Sequence, residues 1–410
     1  MDSSSYLLQS LMFEMDSASS EYYARSEALL FQSDDKPSII TMHSQSREDI
    51  SGYGEAKQST DRVDCKAEDK DNCERFALQH VKIDLEKLQH LAKNTKHDFR
   101  VFYIGQRNSY SELKIKKEHF EELLIACHVF PKVRNYIIGF GSRQREPEIG
   151  PPAITFRPLT EKGACGFEST YILRYIEFTN RDKIRPWSLR QYAVYHKYVR
   201  SGEEPCSTWI LFGQWQRART IIEDHAADGH DIKQENPFEM HMAFIDVALA
   251  SWRPYLIDLH DKVYDIATDV DHASIDDKAN SSIKVSMRED RMLKGLEDNT
   301  TDALVCLHAT MNTLSTISTM YRHLFPPAAQ LDGHGDILSI MIGEKQRETT
   351  YFCQRAEGLM AKIKSTRTML SLLLKQRDGY NLQTQIKALQ ILGTEAKKEN
   401  EVTRDLALGN

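Results

Sequence analysis

The side chains best placed for chemistry are a run of carboxylates, Asp265, Asp269, Asp271, Asp276 and Asp277. Asp269-x-Asp271 has the spacing that opens a calcium loop. Ser274 stands where such a loop needs its glycine, and Asn280 where it needs a bidentate Glu, so the loop is not an EF-hand. A solvated acidic loop is the plain reading. The chemistry these residues could add is a weak hold on a hydrated divalent ion. Mg2+ keeps most of its waters and asks for only one or two carboxylates. His225, His230 and His241 follow one another at intervals that match no zinc motif, and they read as surface histidines.

Other chemistries lack their residues. Gly139-Phe140-Gly141 begins a G-x-G, but no third glycine follows at the needed offset, and there is no Walker-type loop. No G-x-S-x-G elbow, H-E-x-x-H or C-x-x-C occurs. Cys165, between Gly163 and Gly166, reads as an ordinary loop cysteine. Trp187, Tyr192, Tyr195, Trp209, Trp252 and Tyr255 could stack bases, but no Lys/Arg stripe surrounds them, so they read as core. A net charge of −7 offers no basic field for nucleic acid or anionic lipid. The sequence therefore predicts no enzyme, no catalytic residue, no certain cofactor and no nucleic-acid partner. Seven scattered cysteines fit a reducing compartment and a cytoplasmic location.

The elements that would position these residues change character along the chain. Residues 1–32 carry helical spacing, and 33–72 turn polar and read as a linker without fixed structure. Phe76 to Ala92 returns to helical periodicity. Phe99–Ile104, Tyr136–Phe140, Thr170–Phe178, Leu189–Val199 and Thr208–Phe212 read as strands, and Lys117–Cys127 as a helix between them. From Arg217 the pattern is helical: one long helix over Met240–Ala267 kinked at Pro254, another over 285–325, and a last block over 340–408. In that block Phe352, Ala356, Leu359, Ile363, Thr366, Leu370 and Leu373 alternate spacings of four and three, the seam of packed helices. Leu382, Ile386 and Leu389 restart it. If continuous, this helix would be about 100 Å long. Ala303–Met320 lacks charge but is rich in Thr and Ser, and it reads as a buried helix rather than a membrane span.

The fold class expected is mixed α/β (α+β): a central mixed sheet covered by helices, followed by long C-terminal stalk-like helices. The divisions are 1–32 N-terminal helical segment, 33–72 linker, 73–235 α/β domain and 236–410 long-helix region.

Several strings, taken in order, resemble a known family. Arg100-Val101-Phe102-Tyr103-Ile104 opens the sheet. Pro186-Trp187-Ser188-Leu189-Arg190-Gln191-Tyr192-Ala193-Val194-Tyr195-His196 follows, then Ser207-Thr208-Trp209-Ile210-Leu211 and Trp252-Arg253-Pro254-Tyr255, and near the end Glu399-Asn400 and Arg404-Asp405-Leu406. This order is similar to the cytosolic portion of fungal CorA-like proteins, relatives of the CorA magnesium transporters, over roughly residues 98–408. The resemblance implies an α/β/α domain feeding a stalk helix, assembly of subunits around a pore, and carboxylates between subunits that bind Mg2+. It implies a homo-oligomer, or pairing with full-length CorA-like relatives, through the C-terminal helices. The family's membrane spans and Gly-Met-Asn motif have no matching positions in this sequence. If the native protein carries further spans, it would lie on the cytoplasmic face of a membrane. The alternative is a helix-mediated interaction and regulatory module that has lost transport.

Overall fold

The computed structural model describes residues 14–45, 78–93, 99–142, 154–161, 164–180, 186–201, 204–228, 231–232, 235–273, 286–325 and 334–408. Contacts divide the chain into two compact units. The first takes residues 1–253 and 306–351, the second 254–305 and 352–410.

The first unit is built on a mixed sheet of seven strands: β1 (Ile40–Gln45), β2 (Gln79–Ile83), β3 (Phe99–Gly105), β4 (Ile154–Glu161), β5 (Ala164–Phe178), β6 (Trp187–Ser201) and β7 (Glu204–Gly213). They lie in the order β2-β1-β3-β7-β6-β5-β4. Only β3 and β7 are parallel. Their sequences carry the aromatic and β-branched residues that favour a pleated surface. The expected strands at Phe99–Ile104, Thr170–Phe178, Leu189–Val199 and Thr208–Phe212 all lie inside β3, β5, β6 and β7.

Side chains alternate across the sheet, so the pairing sorts them by face. On one face Phe102, Ile104, Ile210, Phe212, Ala193 and Tyr195 join a core completed by α1 (Ser17–Leu30), α2 (Leu85–Lys93), α3 (Lys117–Ala126) and the helical turns of 131–140. On the other, Tyr103 meets Trp215 of the turn into α4 (Gln216–Ala227), and Phe167, Tyr192 and Trp209 meet α5 (Pro237–Leu249). The unit is thus helix, sheet, helix. At Gly213 φ is +92°, and a Cβ there would stand 2.3 Å from the Phe140 ring, so only glycine makes this strand-to-helix turn.

Four expectations are corrected. Tyr136–Phe140 is helical, a short α-turn followed by a 3-10 turn. A five-residue apolar run has no period of its own, and here it packs under the sheet. The segment 33–72 is not all linker: Ile40–Gln45 is β1, an inner strand between β2 and β3. Residues 46–72 lie outside the described residues. Phe76–Ala92 is not one helix, since Gln79–Ile83 is β2 and the helix starts at Leu85. Met240–Ala267 is two helices, α5 and α6 (Trp252–Asp271), with the break at Ala250–Ser251 rather than a kink at Pro254. Pro254 sits in the first turn of α6, where its missing N–H costs nothing.

The second unit is helical, drawn from α6, α7 (Met287–Leu324) and α8 (His334–Leu408). Leu259, Val263, Ile266 and Val270 of α6, and Leu293, Leu296 and Ala303 of α7, are buried. All seven residues of the first seam on α8 are buried as well. Arg367 joins α8 to α7 by ion pairs with Asp290 at 3.1 Å and Glu297 at 2.8 Å. α8 is a single helix of 75 residues that runs through Gly379 and Gly393 without a break. In the part of α7 that belongs to the first unit, the buried hydroxyls of Thr310 and Thr313 donate to the carbonyls of Cys306 and Ala309, which lets a Thr-rich helix be buried. No helix among the described residues is long and apolar enough to cross a membrane.

Candidate functional site

Strand pairing carries one row of side chains across the whole sheet: His80, His43, Val101, Trp209, His196, Ser169 and Phe156, one from each strand. His196 and Trp209 belong to the strings singled out in the sequence. Their rings stack face to face, 3.5 Å between centroids. From α5, His241 reaches the same point.

A chain of hydrogen bonds runs through this spot. Tyr171 Oη lies 2.6 Å from His241 Nδ1, His241 Nε2 lies 2.9 Å from His196 Nδ1, and His196 Nε2 lies 2.8 Å from Ser207 Oγ. Trp209 Nε1 donates to Ser207 Oγ at 3.0 Å. Burial holds both imidazoles in the neutral form. His241 is pushed down to about 3, and His196 falls well below its ordinary value through burial and the neighbouring His241. Each neutral ring donates once, so the donors run in one direction along the chain. The direction Tyr171 to His241 to His196 to Ser207 leaves the spare proton on Ser207, which is 8% exposed. The reverse would strand the proton of the fully buried Tyr171.

This corrects the reading of His241 as a surface histidine. It occupies the apolar stripe Phe238, His241, Ile245, Ala248 of α5, all buried. His225 does sit near the surface and meets Glu235 at 2.6 Å, while His230 lies outside the described residues. Spacings of three and four around His241 were the signal that marks it as inward-facing.

The opposite face carries a second polar row: Gln79, Ser44, Arg100, Thr208, Lys197, Glu168 and Arg157. Glu168 is only 2% exposed. Lys197 Nζ stands 3.2 Å from it, Arg157 3.9 Å, and the Tyr195 hydroxyl donates to it at 3.3 Å. These ion pairs let a carboxylate lie inside the sheet.

The remaining singled-out residues make contacts within the fold. Gln191 donates to the Gly139 carbonyl at 2.8 Å, so the former G-x-G holds a sheet residue. Arg190 grips Glu177 at 2.9 Å and Ser109 at 3.0 Å. Pro186 precedes β6, and Trp187 meets Phe178 across the hairpin. Trp252, Arg253 and Tyr255 open α6, with Trp252 and Tyr255 buried. The aromatic residues therefore form core, apart from the half-buried Trp187.

Of the candidate metal residues, Asp265, Asp269 and Asp271 lie exposed on the last turns of α6, and Asp276 and Asp277 lie outside the described residues. Asp271 meets Lys362 of α8 at 3.9 Å. Asp261, which the sequence reading passed over, precedes Asp265 by one turn and extends this acidic face. Among the described residues no three His, Cys, Asp or Glu side chains come together as a ready metal site.

The last part of α8 behaves differently from the rest of the molecule. From Asn381 to Asp405 every residue is exposed although the helix continues. The restarted seam is bare: Leu382 is 58% exposed, Ile386 47% and Leu389 67%. Ile391, Leu392 and Val402 are equally open.

Residues 41–271, more than half of the chain, match the family model of CorA-like transporters. This protein belongs to the CorA-like transporters. The matched span begins in β1 and closes at the end of α6, so it takes in both polar rows of the CorA-like sheet. Two solved structures are similar at low level. The full-length CmaX protein is 11% identical over 86% of this chain and 82% of its own, with a TM-score of 0.43. The ZntB cytoplasmic domain from Vibrio parahaemolyticus RIMD 2210633 is 11% identical over 72% of this chain and 94% of its own, with a TM-score of 0.35. No curated protein matches the chain.

Proposed function

We propose that this CorA-like chain works in divalent metal-ion transport as a cytosolic-type assembly and sensing domain, with Mg2+ as the ion. The carrying observation is the end of α8: a helix held by its seam as far as Leu373 goes on through Asp405 with its apolar residues in solvent. Exposed Leu and Ile at seam spacing are stabilised when another helix covers them. A second copy of this chain, or a full-length CorA-like relative, supplies that helix.

The acidic end of α6 is the cation-responsive part of this reading. Asp265 and Asp269 are one turn apart on one exposed side, close enough for a hydrated Mg2+ to touch both through its waters. An ion shared between copies would shift the balance between two packings of the helices. No catalytic role is assigned to any residue.

Calorimetric titration of Mg2+ into the protein tests the ion. Binding at millimolar concentration that weakens several-fold in Asp265→Asn/Asp269→Asn supports the reading. Absence of any Mg2+ effect in the parent protein contradicts it. A helix-mediated interaction module without transport is the second reading. The same bare seam favours it, and it predicts a stable complex with a heterologous helix that ignores Mg2+.

A further inference from the structure

We propose that Glu399 of one copy of this chain pairs with Arg404 of a second copy, so that the bare ends of α8 meet parallel and in register. The inference rests on the reading above that a second copy covers the restarted seam. It adds which way that copy runs and which residues fix its position.

Leu382, Ile386 and Leu389 set the frame, at spacings of four and three. The same spacing continues through Gly393, Ala396, Asn400 and Thr403. In a helix pair such positions form the inner seam, and one further position flanks it on each side. The flank that precedes Ile386 and its repeats holds Gln385, Leu392 and Glu399. The flank that follows Leu382 and its repeats holds Gln383, Gln390, Lys397 and Arg404. All seven flanking residues are exposed. The first flank is charged only by a carboxylate, and the second only by cations.

In a parallel, in-register pair each residue of the first flank faces the partner's second flank five positions further on. Gln385 then meets Gln390, Leu392 meets Lys397, and Glu399 meets Arg404. The aliphatic stem of Lys397 lies along Leu392, and its ammonium group stays in water. No like charges come together. An antiparallel pair sets each flank against its own kind, so Lys397 and Arg404 would face a flank that has no carboxylate. The charges therefore select the parallel arrangement. Glu399 and Arg404 cannot answer each other within one chain. Ion pairs along a helix form three or four residues apart, and these two stand five apart, on different sides.

Sedimentation velocity of the full chain at one fixed Mg2+ concentration and low salt tests the pairing. Glu399→Arg and Arg404→Glu each set like charges against each other in a self-pair, and each should weaken self-association about ten-fold. The double exchange Glu399→Arg/Arg404→Glu should restore it. A one-to-one mixture of the two single variants should also associate as the parent does, because each supplies the charge that the other lacks. High salt should shrink all of these differences. Circular dichroism confirms that each variant keeps its helix. A parent chain that associates while the double exchange and the mixture stay as weak as the single variants overturns this pairing and leaves self-association standing. A parent chain that does not associate overturns both.

Discussion

His196 and His241 sit nitrogen to nitrogen inside the first unit, and one proton lies between them. A further proton on His196 would set its Nδ1–H against the Nε2–H of His241, and one on His241 would face the Tyr171 hydroxyl proton, both in a buried site. His43 is held neutral in a similar way, pushed down to about 3 by burial and by Arg219 and His80 nearby. Unfolded histidines take up protons near pH 6.5, whereas these three do so only far below. Their neutral form therefore adds full stability above about pH 6.5. That stability is lost progressively as pH falls from there toward about 3. The expected slope is up to about 1.4 kcal/mol per pH unit for each histidine. All four tryptophans lie in the first unit, so urea titrations followed by tryptophan fluorescence at a series of pH values measure it there alone. A flat profile between pH 6.5 and 4 would argue against the neutral pair. His241→Ala should cost about 2–4 kcal/mol by the same readout, since it opens a cavity and leaves His196 and Tyr171 without their partner. The sequence showed His196 within a marked string but hid His241, because a lone histidine among Met and Phe has the composition of either a core or a surface site. Only its place in the three-and-four spacing separates the two.

At the scale of elements, alternation made β3, β5, β6 and β7 legible, and heptad spacing made the first seam of α8 legible. The failures have physical causes. Ile40–Gln45 was hidden because a six-residue strand is averaged away inside a polar stretch, and nothing local reveals that it is paired on both sides. Tyr136–Phe140 shows that a short apolar run fits a buried helix turn as well as a strand. The two halves of the α8 seam look alike in sequence and differ in burial. Ile363→Ala should destabilise the second unit by about 2–5 kcal/mol, seen as earlier loss of helical circular dichroism with little change in tryptophan fluorescence. Leu389→Lys should shift the stability of the isolated chain by less than about 0.5 kcal/mol, because Leu389 is largely in solvent. If Leu389→Lys destabilises the chain as much as Ile363→Ala, the terminal part of α8 is packed within its own chain.

For the whole molecule, the family match and the bare end of α8 point the same way. A CorA-like α/β/α unit is joined to long helices, the last of which carries apolar residues in solvent. The family was readable from the P-W-S-L-R-Q string and its neighbours. The structure places those residues in the sheet and its polar rows. Asp265 and Asp269 of α6 lie exposed, and among the described residues no third ligand joins them. Sedimentation velocity of the full chain, in millimolar Mg2+ and again in EDTA, tests the central claim most directly. The account predicts a self-associated species whose size or stability changes with Mg2+, and which the double substitution Ile386→Lys/Leu389→Lys reduces to monomer. A chain that is strictly monomeric at every Mg2+ concentration would contradict it.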